Sequence, residues 1–242
     1  MRKRLERLFT LMLTMCLTAL ALPASAQDAD AAARTESPAE DEMPQCIALA
    51  VAIAREEWAD LAGTRLDKSN KYTWWRCGKG CSFGWCGGFV TWCMLEAGVP
   101  MDELEDVPDA VEGPYHVKEA SVGKLLRGYE RLGRTTNVPR PGYCVVYGVD
   151  GSVNKTVHVG LVCGVRELGG GRYRLTTIEG NVSNRVKMYL YDYDLSEAKA
   201  TENMSVIPEE ERDTEANVYT SYRLQSDKWY VNTFLMSWVP EK

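Results

Sequence analysis

Histidine is almost missing from this sequence. Of 242 residues only His116 and His158 carry an imidazole, so a histidine base, if there is one, is one of these two. Positive charge is short as well: 28 lysines and arginines stand against 34 acids, a formal net charge of −6. Such a chain gains little from counterion release on nucleic acid and shows none of the basic stripes that nucleic-acid binders carry. It also lacks a basic amphipathic helix for anionic lipid. Leu8–Leu22, the main apolar run, is shorter than the roughly 20 residues that a membrane-spanning helix needs. Internal repeats are missing too, which argues against solenoids and propellers. Nucleic-acid and membrane partners are therefore not expected.

What is present divides the chain into three parts. Residues 1–26 read as a signal peptide: Arg2, Lys3, Arg4 and Arg7 form a basic start, the apolar run follows, and Ala24-Ser25-Ala26 supplies small residues for cleavage. Cys16 makes a poor lipid anchor, because it lies inside the apolar run and follows the bulky Met15. This segment holds four bases and one acid, a net +3, so its removal takes the charge from −6 to −9. Residues 27–43, QDADAAARTESPAEDEM, are acidic and alanine-rich and read as a disordered linker, too poor in apolar surface to offset the entropy of ordering. Residues 44–242 suit one domain with a full core. The expected product is a secreted bacterial protein without a membrane anchor after signal cleavage, located in the periplasm, at the cell wall or outside the cell. Its oligomeric state is not legible.

Within the domain, helical apolar spacing marks residues 44–62, 86–97 and 117–132, with Pro44 at the first start and Gly63, Gly98 and Pro100 as stops. Residues 68–84, rich in Gly, Asn, Lys and Trp, read as an irregular loop. After Pro141-Gly142 the period shortens. Residues 143–149, 157–165, 173–179, 185–191 and 229–239 read as strands, and the charged stretch 192–216 as a surface excursion. Helices first and an antiparallel sheet second make an α+β domain.

The chemistry collects around one histidine. His116 reads as a surface loop residue. His158 lies within an apolar strand, Val157-His158-Val159-Gly160-Leu161-Val162, and the turn Leu168-Gly169-Gly170-Gly171 folds that strand onto the next. Positions facing each other across such a hairpin sum to about 337–340, which sets His158 opposite a residue between Glu179 and Val182. If the sum is odd, Glu179 and Asn181 share the face of His158, and Glu179 becomes the natural orienter of the imidazole. The thiol comes from WCGGFVTWC, residues 85–93. Cys86 opens a helix, where unpaired N–H groups and the positive dipole end favour thiolate. The backbone amides there offer an oxyanion site, and Gly87 and Gly88 leave room for substrate. Cys93, two turns later, reads as core or as a disulfide partner.

Taken together, these pieces resemble the CHAP amidase/peptidase group of the papain-like NlpC/P60 superfamily. The matching stretches are residues 85–93, Ala97-Gly98, Pro141-Gly142 before a strand, His158-Val159-Gly160-Leu161-Val162 and Ile178-Glu179-Gly180-Asn181. Asn70-Lys71-Tyr72 and the last strand around Phe234 are similar as well, so the resemblance spans roughly residues 44–240. It implies a papain-like fold, N-terminal helices packed on a mostly antiparallel sheet, and a hydrolase cutting amide bonds of peptidoglycan or its peptide fragments. Cys86 would attack, His158 would serve as base and then acid, Glu179 would orient it, and Asn181 would support that network or the oxyanion. Tyr72, Trp85 and Gly87 form the implied substrate-binding set, with a stacking role for Tyr72 equally open. The family usually has Asp after Pro-Gly, where this chain has Tyr143.

Setting Cys86 aside leaves Cys46, Cys77, Cys81, Cys93, Cys144 and Cys163, an even number that fits up to three disulfides in an exported protein. Cys77 and Cys81 are placed to close a small loop near the nucleophile, while Cys144 and Cys163 also suit buried thiols. Zinc is the rival for the first pair, but no second close pair or nearby histidine completes a site, and neither metal nor cofactor is expected. Two other functions stay open: a non-catalytic wall-binding domain of the same fold, and a secreted effector peptidase or transamidase acting on protein.

Overall fold

The computed structural model describes residues 43–61, 63–149, 152–197, 203–212, 220–222 and 229–240, with backbone alone at 152–155. The signal and nearly all of the linker lie outside the described residues. Among the described residues four helices and one large sheet form an α+β domain. Among the described residues no helix is long and apolar enough to cross a membrane.

Helix α1 (Gln45–Leu61) begins just after Pro44, whose carbonyl accepts from the amides of Ile47 and Ala48. It buries Ile47, Ala50, Val51, Ile53 and Ala54. Helix α2 (Lys71–Cys77) lies within the stretch read as loop. Its start is a reciprocal cap: Asn70 Oδ1 accepts from the Tyr72 amide at 3.0 Å, and Thr73 Oγ1 accepts from the Asn70 amide at 3.1 Å. That Asn-x-x-Thr spacing was readable, but two tryptophans, a short length and flanking glycines hid the helix. Helix α3 (Cys86–Glu96) is buried at every position from Cys86 to Met94. A helix apolar all round belongs in the centre of a domain, and α3 sits among α1, α2 and the sheet.

Helix α4 starts later than expected, at Val122, and runs to Arg131. The residues before it form β2 (His116–Val117), which pairs in parallel with β1 (Met101–Asp102). His116 is fully buried, which corrects its reading as a surface residue. Its Nε2 lies 2.9 Å from Thr91 Oγ1 and its Nδ1 2.9 Å from the Tyr129 hydroxyl. Burial pushes its pKa down to about 3, so it stays neutral and ties α3 to α4.

The main sheet comprises β3 (Thr135–Thr136), β4 (Cys144–Val149), β5 (Ser152–Gly169), β6 (Arg172–Glu179), β7 (Lys187–Asp194), β8 (Met204–Ser205) and β10 (Trp229–Leu235) in the order β3-β10-β4-β5-β6-β7-β8. Those neighbours are antiparallel, while β9 (Thr220–Tyr222) pairs with β7 in parallel. The stretch 192–216 is thus more than a surface excursion where it is described. It completes β7, supplies β8, and sets Asn203, whose amide exchanges hydrogen bonds of 2.7 and 2.9 Å with the backbone of Val231. Tyr143, which follows Pro141-Gly142, is buried against Trp238.

Gly180, at the end of β6, brings the sheet against α3 without a side chain between them. A Cβ there would lie 2.4 Å from Phe89 Cβ and 2.9 Å from Trp85 Cζ3. Gly180→Ala should destabilise the domain by about 1–3 kcal/mol through overpacking, seen as a Tm lowered by roughly 2–4 °C per kcal/mol in thermal unfolding. Gly123→Ala on α4, where the nearest atom is 3.7 Å away, should leave the Tm unchanged or raise it.

Candidate active site

The turn from Gly84 into α3 carries the thiol. Trp85 is the N-cap residue and Cys86 the first helical one. Burial raises the Cys86 pKa, but a hydrogen bond and positive charge from His158, joined by the backbone N–H groups of Gly87 and Val159, outweigh it and hold the thiol below its ordinary value. Among the described residues, Cys86 is free of any disulfide.

His158 sits on β5 directly opposite Tyr147 of β4. Its Nε2 lies 3.0 Å from Glu179 Oε2, close enough for an ion pair although not aligned as a linear hydrogen bond. Burial alone would lower the His158 pKa. The proximity and negative charges of Cys86 and Glu179 instead raise it to about 9. The imidazole therefore keeps its proton until the pH climbs towards about 9, and the thiolate–imidazolium pair persists from below the ordinary cysteine range up to that limit. Trp229 lies beside the imidazole, ring centroids 5.1 Å apart, and Tyr147 at 5.9 Å.

Glu179 reaches the face of His158 through a break in register. Over Gly164–Glu167, β5 and β6 pair with an even sum, as in Val165↔Leu175; at the far end the sum is odd, as in Leu161↔Ile178, and so it is at the turn, Gly169↔Arg172. The irregularity between Val162 and Gly164 inserts Cys163 and changes the parity. Gly160 then lets the Glu179 side chain lie across the strand, since a Cβ there would be 2.7 Å from Glu179 Cγ.

Asn181 adopts a left-handed conformation (φ 63°) and sets its amide beside Gly84, where an added Cβ would be 3.5 Å from Nδ2. It thus lies against the turn that leads into α3, two residues before Cys86. The three residues expected to contact substrate are placed otherwise. Tyr72 and Trp85 are fully buried, their rings stacked 5.1 Å apart, and Tyr72 donates to Glu57 Oε2 at 2.5 Å. They form the floor of the site. Gly87 makes room for the protein's own backbone: a Cβ there would be 2.2 Å from the Ala120 carbonyl oxygen, and one at Gly88 would be 2.5 Å from the Tyr72 carbonyl oxygen.

Two side chains beyond the expected set touch Glu179. Tyr147 and Thr177 donate to its Oε1 at 2.7 and 2.8 Å. Thr177 could have been found, two residues before Glu179 on one strand face; Tyr147 required the β4–β5 register. Among the described residues one disulfide forms, Cys77–Cys81, closing the loop before the nucleophile instead of the three bridges allowed by number. Cys93, Cys144 and Cys163 are buried free thiols. Burial, then neighbouring charge, raises Cys93 and Cys144 well above the ordinary value, while burial against the charge of Arg55 leaves Cys163 at about 12.

The CHAP domain family model matches residues 77–181, a span that begins at the disulfide and ends on Asn181. No curated protein and no solved structure matches the chain. The resemblance drawn from the sequence is thereby borne out over that span.

Iodoacetamide at pH 6, followed by peptide mass spectrometry, should modify Cys86 and spare Cys93, Cys144 and Cys163. His158→Ala should slow Cys86 modification about tenfold for each unit of pKa that the thiol regains.

Proposed function

We propose that the CHAP domain at residues 77–181 is the catalytic core of an exported thiol hydrolase that cleaves amide bonds of peptidoglycan. CHAP domains are usually amidases or peptidases, which supports this reaction class. The observation that carries the reading for this chain is a His158 whose Nε2 lies 3.0 Å from the buried Glu179 carboxylate and whose proximity holds the Cys86 thiol below its ordinary value.

In this reading the Cys86 thiolate attacks the carbonyl carbon of the scissile amide. The negative oxygen of the tetrahedral intermediate is met by backbone N–H groups at the start of α3, with the Asn181 amide at the rim. His158, already protonated, gives its proton to the departing amine, and the C–N bond breaks to leave a thioester on Cys86. Neutral His158 then takes a proton from water, which attacks the thioester and frees the acid. Glu179 keeps the ring oriented through both steps and balances its charge. The apolar floor of Tyr72, Trp85 and Phe89 gives the site a rigid base rather than a substrate contact. Export rests on residues 1–26, and peptidoglycan as substrate on the family.

Incubating the mature protein with purified sacculi and analysing released products by mass spectrometry tests the proposal. New N-terminal alanine on released stems identifies an N-acetylmuramoyl-L-alanine amidase; cuts within stems or cross-bridges identify an endopeptidase. Cys86→Ala should abolish release, and Glu179→Gln should lower kcat by about 10²–10⁴. No release by the wild-type protein overturns the proposal in favour of a wall-binding domain or a protein-directed peptidase or transamidase.

A further inference from the structure

We propose that Tyr147 and Thr177 are positioning residues that hold the Glu179 carboxylate charged and turned towards His158, so that the Cys86 thiolate depends on two hydroxyls outside the triad. The inference rests on the hydrolase reading of the site. Glu179 is 0 % exposed, and a carboxylate so far from water keeps its charge only when its oxygens are satisfied. Each oxygen has a separate task. Oε2 faces His158 at 3.0 Å, while Oε1 accepts from Tyr147 at 2.7 Å and Thr177 at 2.8 Å.

The hydroxyl protons have a definite direction. Because Tyr147 donates to the carboxylate, the 2.9 Å contact between the Tyr147 and Tyr191 hydroxyls is one in which Tyr191 donates to the Tyr147 oxygen. A file of donors thus runs Tyr191, Tyr147, Glu179 and ends on the carboxylate, whose second oxygen faces the imidazolium. The strands make this geometry cheap to hold. Tyr147 is the cross-strand partner of His158, so its ring packs near the imidazole while its hydroxyl passes beyond it to the acid. Thr177 lies two residues from Glu179 on the same face of β6. With both donors in place, the carboxylate cannot turn away without stranding two buried hydroxyls.

A role confined to packing predicts no change when the Tyr147 ring is kept and its hydroxyl removed. The test follows the iodoacetamide alkylation rate of Cys86 against pH in the mature protein, with thermal unfolding in parallel, and needs no substrate. Tyr147→Phe should move the acid limb of the profile up by about one pH unit, a tenfold slower reaction on that limb, with a native melting transition. Thr177→Val should shift it in the same direction, and the double variant further than either. If Tyr147→Phe fails to fold, Thr177→Val decides the matter from the other donor. A folded Tyr147→Phe variant whose profile superimposes on the wild type overturns the inference. A wild-type Cys86 that itself reacts as an ordinary thiol is a separate result: it removes the hydrolase reading before this question arises.

Discussion

The site depends on keeping three charges out of water. A thiolate, an imidazolium and a carboxylate sit in a place where Cys86 is 8 % exposed, His158 5 % and Glu179 not at all. Desolvation of each such ion costs several kcal/mol even after the protein relaxes, and a lone buried ion would neutralise itself by gaining or losing a proton. The opposing shifts of Cys86 and His158 follow from this. Each is driven by burial towards neutrality and returned to its charged form by the other, so neither is charged on its own account. Two negative charges flanking one positive leave an excess that must be met by neutral donors. The N–H groups of Gly87 and Val159 meet it at the sulfur, and Tyr147 and Thr177 at the carboxylate.

That electrostatic line exists because of one extra residue in β5. With the even register of Gly164–Glu167 carried on along the strand, His158 would face Val182, and Glu179 would point through the opposite side of the sheet. Inserting Cys163 shifts the pairing by one at the end where the chemistry lies, and a second irregularity between Glu167 and Gly169 shifts it again beside the turn. A slip of a single residue flips every side chain of a strand, so the bulge acts as a parity switch. Gly160 completes the effect by leaving the strand bare where the acid crosses it.

This explains why the cluster of Cys86, His158 and Glu179 was legible in the sequence and its surroundings were not. Scarcity alone narrowed the base to two histidines. Turn arithmetic placed Glu179 near His158 but left the parity open, because a bulge has no sure signature in one sequence. Cys86 was marked by a local rule, the start of a helix. The misreadings have one cause. His116, Tyr72 and Trp85 are polar or amphipathic residues in stretches that look like loop, and their burial is decided by tertiary neighbours such as Thr91, Tyr129 and Glu57. Gly87 and Gly88 suggested open space for substrate by the same local logic. What they admit is the backbone of residues 120 and 72, packed against α3 closely enough to fix the nucleophile's first turn.

Cys86 and Cys93 show how little separation such a distinction requires. They lie on one helix, seven residues apart, and both are buried. Cys86 meets the N-terminal end of that helix and an imidazolium, which turn burial to the thiolate's advantage by strengthening every favourable charge around it. Cys93 meets the core, with the Glu57 carboxylate and the thiols of Cys163 and Cys144 nearby, and the same low dielectric then acts against ionisation. Low solvent access is therefore common to the reactive and the inert thiol. The neighbours separate them: an imidazolium and two backbone amides offset burial at Cys86, while at Cys93 Glu57 adds to burial against Lys71, and where each residue falls along eleven residues of helix sets those neighbours.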